Sequence, residues 1–201
     1  MSASRHFLAA ENSVLVVIDV QEKLLPKIHD HEKIERNIAD MIRVAGMFGV
    51  PVMLTEQYSK GLGPTVSSIR SAYDACPTRC FTTDKTAFSC CGDAGFVAKM
   101  AELEKKAQAG KSALPLDVVL AGIETHVCVL QTAYELLAAG KGVTVAFDCV
   151  GSRDRHNYKN ALKQVVEAGG AVSNFESIAF MWARTKDHSN FKELNEILKQ
   201  R

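Results

Sequence analysis

The stretch Ser13-Val14-Leu15-Val16-Val17-Ile18-Asp19 is an unbroken apolar, β-branched run with no polar alternation. A strand wetted on one face alternates. A continuous run suits a strand covered on both faces. Shorter runs recur at Pro51–Thr55, Leu116–Gly122, Val143–Phe147 and Ala171–Ser173, with a more polar one at Arg79–Thr83. Between them lie segments with helical spacing. Glu32 to Phe48 puts Ile34, Ile38, Met41, Ile42 and Ala45 on one face, and Gly49 stops it. Asp93 to Lys106, Thr125 to Ala139 and His156 to Ala168 follow, and Phe191 to Lys199 is a last helix. Glu56 to Pro64 reads as a loop. Strands joined by crossover helices run parallel, and the crossovers are right-handed. The pattern predicts a three-layer α/β/α fold, an open, mostly parallel six-stranded sheet covered by helices. No repeat or linker divides it, so residues 1–201 read as a single domain. Residues 1–12 are expected to be flexible, and Gln108–Pro115 to be a polar surface connection.

Composition narrows the function classes. The chain has 201 residues, 47% of them hydrophobic, with 24 Lys+Arg against 23 Asp+Glu. That length buries a core without staples, and that balance excludes disorder, collagen and coiled coil. No apolar run reaches the ~18 residues of a membrane helix. The near-zero net charge argues against a nucleic-acid partner held by a basic surface. Cys76, Cys80, Cys90, Cys91, Cys128 and Cys149 do not form the paired CxxC knuckles of a zinc site. With no secretory h-region, they read as free thiols of a reducing compartment, the cytoplasm. Arg5, and the absence of an acid before Glu11, leave a mitochondrial presequence as the alternative.

In open parallel sheets, ligands sit beyond the carboxyl ends of the strands. The residues there are Asp19, Glu56, Asp84 with Lys85, Glu124 to Cys128, and Asp148. Cys128 falls three residues after Thr125, a potential helix cap. A thiol in the first turn of a helix meets free N–H groups and the positive end of the dipole, which lower its pKa. Lys85 would add positive charge, and Asp19 could accept the thiol proton. Nucleophile, base and electrostatic partner together make an acyl-transfer set. His126 is two positions from Cys128 and points elsewhere on a helix, which favours Asp19 as the base. His29, His31, His156 and His188 read as solvated or capping residues, and Ser152–His156 as a solvated helix start.

Three segments carry a resemblance. Val16-Val17-Ile18-Asp19-Val20-Gln21 is similar to the strand and D-x-Q opening of the isochorismatase-like cysteine hydrolases. Asp84-Lys85-Thr86-Ala87-Phe88-Ser89 resembles their K-x-x-F-S element, and Gly122-Ile123-Glu124-Thr125-His126-Val127-Cys128-Val129 their G-x-x-T-x-x-C-V segment. Leu54–Tyr58 and Gly61–Thr65 resemble runs found in the isochorismatase-domain proteins of eukaryotes. The resemblance implies Asp19 as general base, Lys85 as electrostatic partner and Cys128 as nucleophile. It also implies a cis peptide at Ile123–Glu124, aiming the N–H groups of Glu124 and Cys128 into an oxyanion hole. Self-association to a dimer or larger homo-oligomer is implied as well.

Departures from the family pattern sharpen the expectation. Nicotinamidases of the family bind a metal through an Asp and two His after the second strand. Here Thr55-Glu56-Gln57-Tyr58-Ser59-Lys60 holds no His, so neither metal nor other cofactor is expected. True isochorismatases cleave a vinyl ether and often lack the cysteine. Cys128 therefore points to a small amide-like substrate with a C–N bond. Gln21, Gln57, Tyr58, Phe88 and Glu124 are the substrate-pocket candidates, with Glu124 standing where several relatives carry smaller residues. Two other classes stand beside this one. One is a mitochondrial ribonuclease or RNA-associated protein. The other is a non-catalytic oligomeric scaffold using the apolar Ile178–Trp182 stretch as its interface.

Overall fold

The computed structural model describes residues 7–109 and 116–200. The start of the chain through His6, and 110–115 of the expected polar connection, lie outside the described residues. In chain order the elements are β1 (Ser13–Ile18), α1 (His31–Met47), β2 (Val52–Gln57), α2 (Ser59–Leu62), α3 (Ser67–Ala75), β3 (Arg79–Lys85), α4 (Ala94–Ala109), β4 (Asp117–Ile123), α5 (Leu130–Ala138), β5 (Gly142–Gly151), α6 (Arg155–Glu167), β6 (Ala171–Ser173), α7 (Phe175–Ala183) and α8 (Phe191–Lys199). The six strands form one sheet, all parallel, in the order β3-β2-β1-β4-β5-β6. The order reverses between β1 and β4, so the crevice above those two strands is the switch point of the sheet.

The apolar runs behave as strands buried on both faces: every residue of β1 and β4 is buried. Alternation divides them between two cores. Leu15, Val17, Val119 and Ala121 face α1, α3, α7 and α8. Val14, Val16, Ile18, Val118 and Leu120 face α4, α5 and α6. The helical face read from α1 is buried as expected, with Ile38, Met41, Ile42 and Ala45 fully enclosed. Each such aliphatic side chain contributes about 1.5–3 kcal/mol on burial.

Several expectations are corrected. The start of the chain is held down from Leu8 on: Leu8 and Ala9 are buried, and Ala10–Asn12 form a 3-10 turn. The Glu56–Pro64 loop contains the end of β2 and all of α2. Helix α3 went unread because its Ile69, Ala72 and Tyr73 are the only apolar spacing in a polar stretch. Ile178–Trp182 lies in α7, with Ile178, Ala179 and Trp182 buried in the core. The Trp182 indole N–H donates to Ser13 Oγ at 3.0 Å. The buried part of the stretch therefore closes the fold, while Phe180 stays 39% exposed.

Candidate active site

Asp19 follows β1 directly, in a left-handed conformation (φ 54°) that turns its carboxylate in among the strand ends. It is fully buried. Its Oδ1 accepts from Thr55 Oγ1 at 2.7 Å, and its Oδ2 accepts from Lys85 Nζ at 2.8 Å. Thr55 is the register partner of Ile18 on β2, so the pleat brings it beside Asp19. Lys85 ends β3, two strands away, and only its extended side chain reaches Asp19. Its ammonium, 2% exposed as a residue, also donates to Gln57 Oε1 at 2.7 Å and to the carbonyls of Phe88 at 3.0 Å and Ala87 at 3.2 Å. A buried charge without partners costs several kcal/mol, and this ion pair has its partners on both sides.

The third residue arrives from β4. Gly122 lies against Ile18 across the switch point at φ +111°, where an added Cβ would stand 2.1 Å from the Ile18 carbonyl oxygen. The Ile123–Glu124 peptide is cis. A π-helical turn, Thr125–Val129, then precedes α5, and wide turns of this kind are frequent at functional sites. Glu124, not Thr125, is the helix-capping position, and its carbonyl accepts from the N–H groups of Val127 and Val129. Cys128 is buried in the turn, its thiol near enough to the Asp19 carboxylate to feel its charge. Its carbonyl accepts from Thr132 Oγ1 at 2.7 Å, and that hydroxyl accepts the Cys90 N–H at 3.0 Å. Thr132 thus ties the turn to the segment that leaves β3.

The surroundings of the Cys128 thiol disfavour its thiolate. Burial first, and then the facing Asp19 carboxylate, push its pKa well above the ordinary thiol range, while Lys85 pulls the other way. A helix start was expected to lower it. The direction is reversed because the thiol is desolvated and lies near an anion. Cys90, which no sequence signal had marked, is also near Asp19, its Sγ 3.9 Å from Thr55 Oγ1. Burial and Asp19 push that thiol up to about 12.

The pocket candidates divide. Gln21 and Gln57 are buried with both amides taken up by the protein. Gln21 receives the Gln57 N–H on Oε1 and donates Nε2 to the carbonyls of Gln57 and Gly63. Gln57 holds Lys85 on Oε1 and donates to the Thr86 carbonyl. They are therefore framing residues, not free substrate contacts. Tyr58 and Phe88 are 55% and 54% exposed and available at the surface. The Glu124 carboxylate is engaged by Arg153, through the backbone N–H and the guanidinium, each at 3.0 Å. It is thus neutralised rather than opposing Lys85. His126 Nδ1 lies 3.0 Å from Ser152 Oγ. The rest of the basic run does begin α6, where Asp154 caps the N–H groups of His156 and Asn157.

The other strand-end acids do not join the site. Glu56 accepts from the Thr65 N–H and hydroxyl, and Asp84 from those of Ser59. Asp148 lies within β5, which runs past the expected end at Phe147, and it accepts the Phe175 N–H. Among the described residues no group of three or more His, Cys, Asp or Glu is placed to hold a metal ion. The residues after β2 do not fit the Asp and two-His set of a nicotinamidase. Among the described residues, too, no helix is long and apolar enough to cross a membrane.

Comparison with known proteins identifies the family and the fold. The isochorismatase-domain family model matches residues 13–177. Isochorismatase domain-containing protein 2A of Mus musculus is 36% identical over 203 residues, spanning 100% of this chain and 90% of its own. The structure described as the MAR1 ribonuclease of Caenorhabditis elegans superposes with a TM-score of 0.81 at 32% identity, covering 96% of this chain and 92% of that one. The ycaC gene product of Escherichia coli, described as an octameric hydrolase of unknown specificity, has the same fold, with a TM-score of 0.76 at 18% identity over 97% and 96% of the two chains.

Proposed function

Because the chain belongs to the isochorismatase family, we propose that it is a metal-independent cysteine hydrolase of a small amide-like substrate. The observation that carries this reading is the enclosed Lys85–Asp19 ion pair, with the Cys128 thiol buried beside its carboxylate. A raised thiol pKa means that the proton leaves only as the nucleophile attacks. Asp19 takes it while Cys128 Sγ bonds to the amide carbon, and the oxyanion forms against the N–H groups of Glu124 and Cys128. Asp19 returns the proton to the departing amine as the C–N bond breaks, leaving a thioester. A water molecule, deprotonated by Asp19, then attacks the thioester carbon. The carboxylic acid is released and the thiol regains its proton. Lys85 balances the carboxylate charge throughout, within a site that excludes bulk water.

The test is release of ammonia or amine from a panel of small amides. Cys128→Ala should reduce turnover by at least ~10³-fold with unchanged circular dichroism, since removal of a nucleophile leaves only residual catalysis. Turnover that persists in that variant sinks the reading. A second reading, RNA cleavage, draws on the description of the Caenorhabditis elegans relative. It requires nuclease activity that co-elutes with the protein through successive columns and falls steeply with salt. The Escherichia coli description also supports self-association of this chain into a homo-oligomer. Light scattering on the eluted peak tests that.

A further inference from the structure

A cleft of about 350 Å³ lies beside the carboxyl half of β5, away from the residues assigned to catalysis. Strand β6 pairs with β5 only from Thr144 to Ala146. Beyond that point the outer edge of β5 is open, and the starts of α1 and α6 stand on either side of it. None of Asp19, Lys85 or Cys128 lines the cleft.

Its lining has two kinds of surface. Ile34, Val150, Gly151, Phe147 and Tyr158 make an apolar wall with two aromatic rings. Phe147 is 41% exposed, a ring left open where β5 loses its neighbour, and Tyr158 is held there by donating its hydroxyl proton to the Phe147 carbonyl at 2.7 Å. The polar side holds Lys33, Arg155 and Lys159. Of the two acids in the lining, Asp30 is paired with a cation of the cleft, while Asp148 keeps its charge. Asp30 pairs with Arg155 at 3.3 Å, and Asp148 accepts the Phe175 N–H at 2.8 Å. Lys33 and Lys159 make no ion pair among the described residues. Lys33, Arg155 and Lys159 thus outnumber Asp30 and Asp148 in the lining, and the cleft presents a net positive charge next to an aromatic wall. Its volume falls within the range of small-molecule sites.

We propose that this cleft is a second binding site, for a small organic phosphate with a planar ring, of the size of a nucleoside monophosphate. The ring lies on the Phe147 and Tyr158 wall, and the phosphate is held by Lys33 and Lys159. The site is independent of the hydrolase reading and stands or falls without it.

The probe is adenosine 5′-monophosphate, titrated calorimetrically at low salt, with adenosine and inorganic phosphate as half-ligands. Saturable binding is expected, weakened by salt, with each half-ligand at least ten-fold weaker. The double substitution Lys33→Gln with Lys159→Gln should weaken binding at least ten-fold at unchanged Tm. Lys163→Gln with Lys199→Gln, which removes the same charge from helix positions outside the cleft, should leave it unchanged. Phe147→Ser should weaken adenosine and the monophosphate but not inorganic phosphate. Absence of saturable binding up to millimolar concentration overturns the proposal. So does binding that both lysine double variants reduce equally, or that neither reduces.

Discussion

Lys85 spends its ammonium on four acceptors, although it has three protons to give, and one of those acceptors is the Asp19 carboxylate. Asp19 and Lys85 themselves are shut off from water. Lys85→Met would leave the carboxylate buried without its counter-charge, a loss of about 3–5 kcal/mol that urea denaturation can measure. The reactivity of Cys128 follows the same charges. Iodoacetamide labelling read by peptide mass spectrometry should find it slow at neutral pH and accelerating only in the alkaline range, because burial and Asp19 hold the thiol protonated. Asp19→Asn removes the anion and should shift the labelling profile to lower pH, while Lys85→Met should shift it higher. A profile that ignores both substitutions would mean that the thiol does not face the pair. Asp19, Lys85 and Cys128 were legible in the sequence because each ends or closely follows a strand. Thr55 and Cys90 were not, since they come beside Asp19 only through strand register and the fold of the segment after β3.

At the scale of elements, the approach of β4 to β1 decides where Cys128 can be. Gly122 permits it, and the demand is both conformational and steric. Gly122→Ala should cost more than ~4 kcal/mol, seen as loss of soluble protein. Gly140→Ala, at a similar positive φ (+76°) but in open space, should cost only about 1 kcal/mol, and a comparable effect at both positions would refute the steric account. The helix after β4 was legible, but its opening as a π turn was not, since Thr125 has the residue type of a cap. The Thr132 hydroxyl four positions after Cys128 was a readable signal, because i and i+4 stack on a helix. Thr132→Val removes the bridge between Cys90 and Cys128 and should cost about 1–3 kcal/mol by thermal melt at pH 7, with a lower kcat on any amide substrate found. Helix α7 teaches the opposite lesson. Most of an apolar run that looks like an exposed interface is, in a sheet with two covered faces, core, and Phe180 alone of its large side chains is left exposed.

At the scale of the whole molecule, the parallel sheet separates two ends with different electrostatics. At the carboxyl ends, the switch point gathers a compensated ion pair. At the amino end of β4, Asp117 is buried without a counter-charge among the described residues, and desolvation raises its pKa to about 6, from 3.8 when unfolded. A carboxyl group raised on folding favours the native state while it is protonated. Its contribution is complete below about pH 4 and is lost as pH rises through about 6. Asp117→Asn should therefore stabilise the protein at pH 7 by about 1 kcal/mol, the strand-end carboxylate keeping part of its hydration, and should have no effect below pH 4. Melting curves of both proteins across that range check the sign. A stabilisation independent of pH would refute it.

The order of apolar runs and helical segments by itself determined the layers, the parallel sheet and the strand ends where chemistry gathers. That information is local: burial on both faces and crossover connections are written in spacing and residue type. Tertiary structure alone decided which strand ends become neighbours, whether the Cys128 thiol is activated or held protonated, and that Gln21 and Gln57 frame the site while Arg153 neutralises Glu124. Those outcomes depend on distance and desolvation between residues far apart in the chain, and no window of sequence contains them.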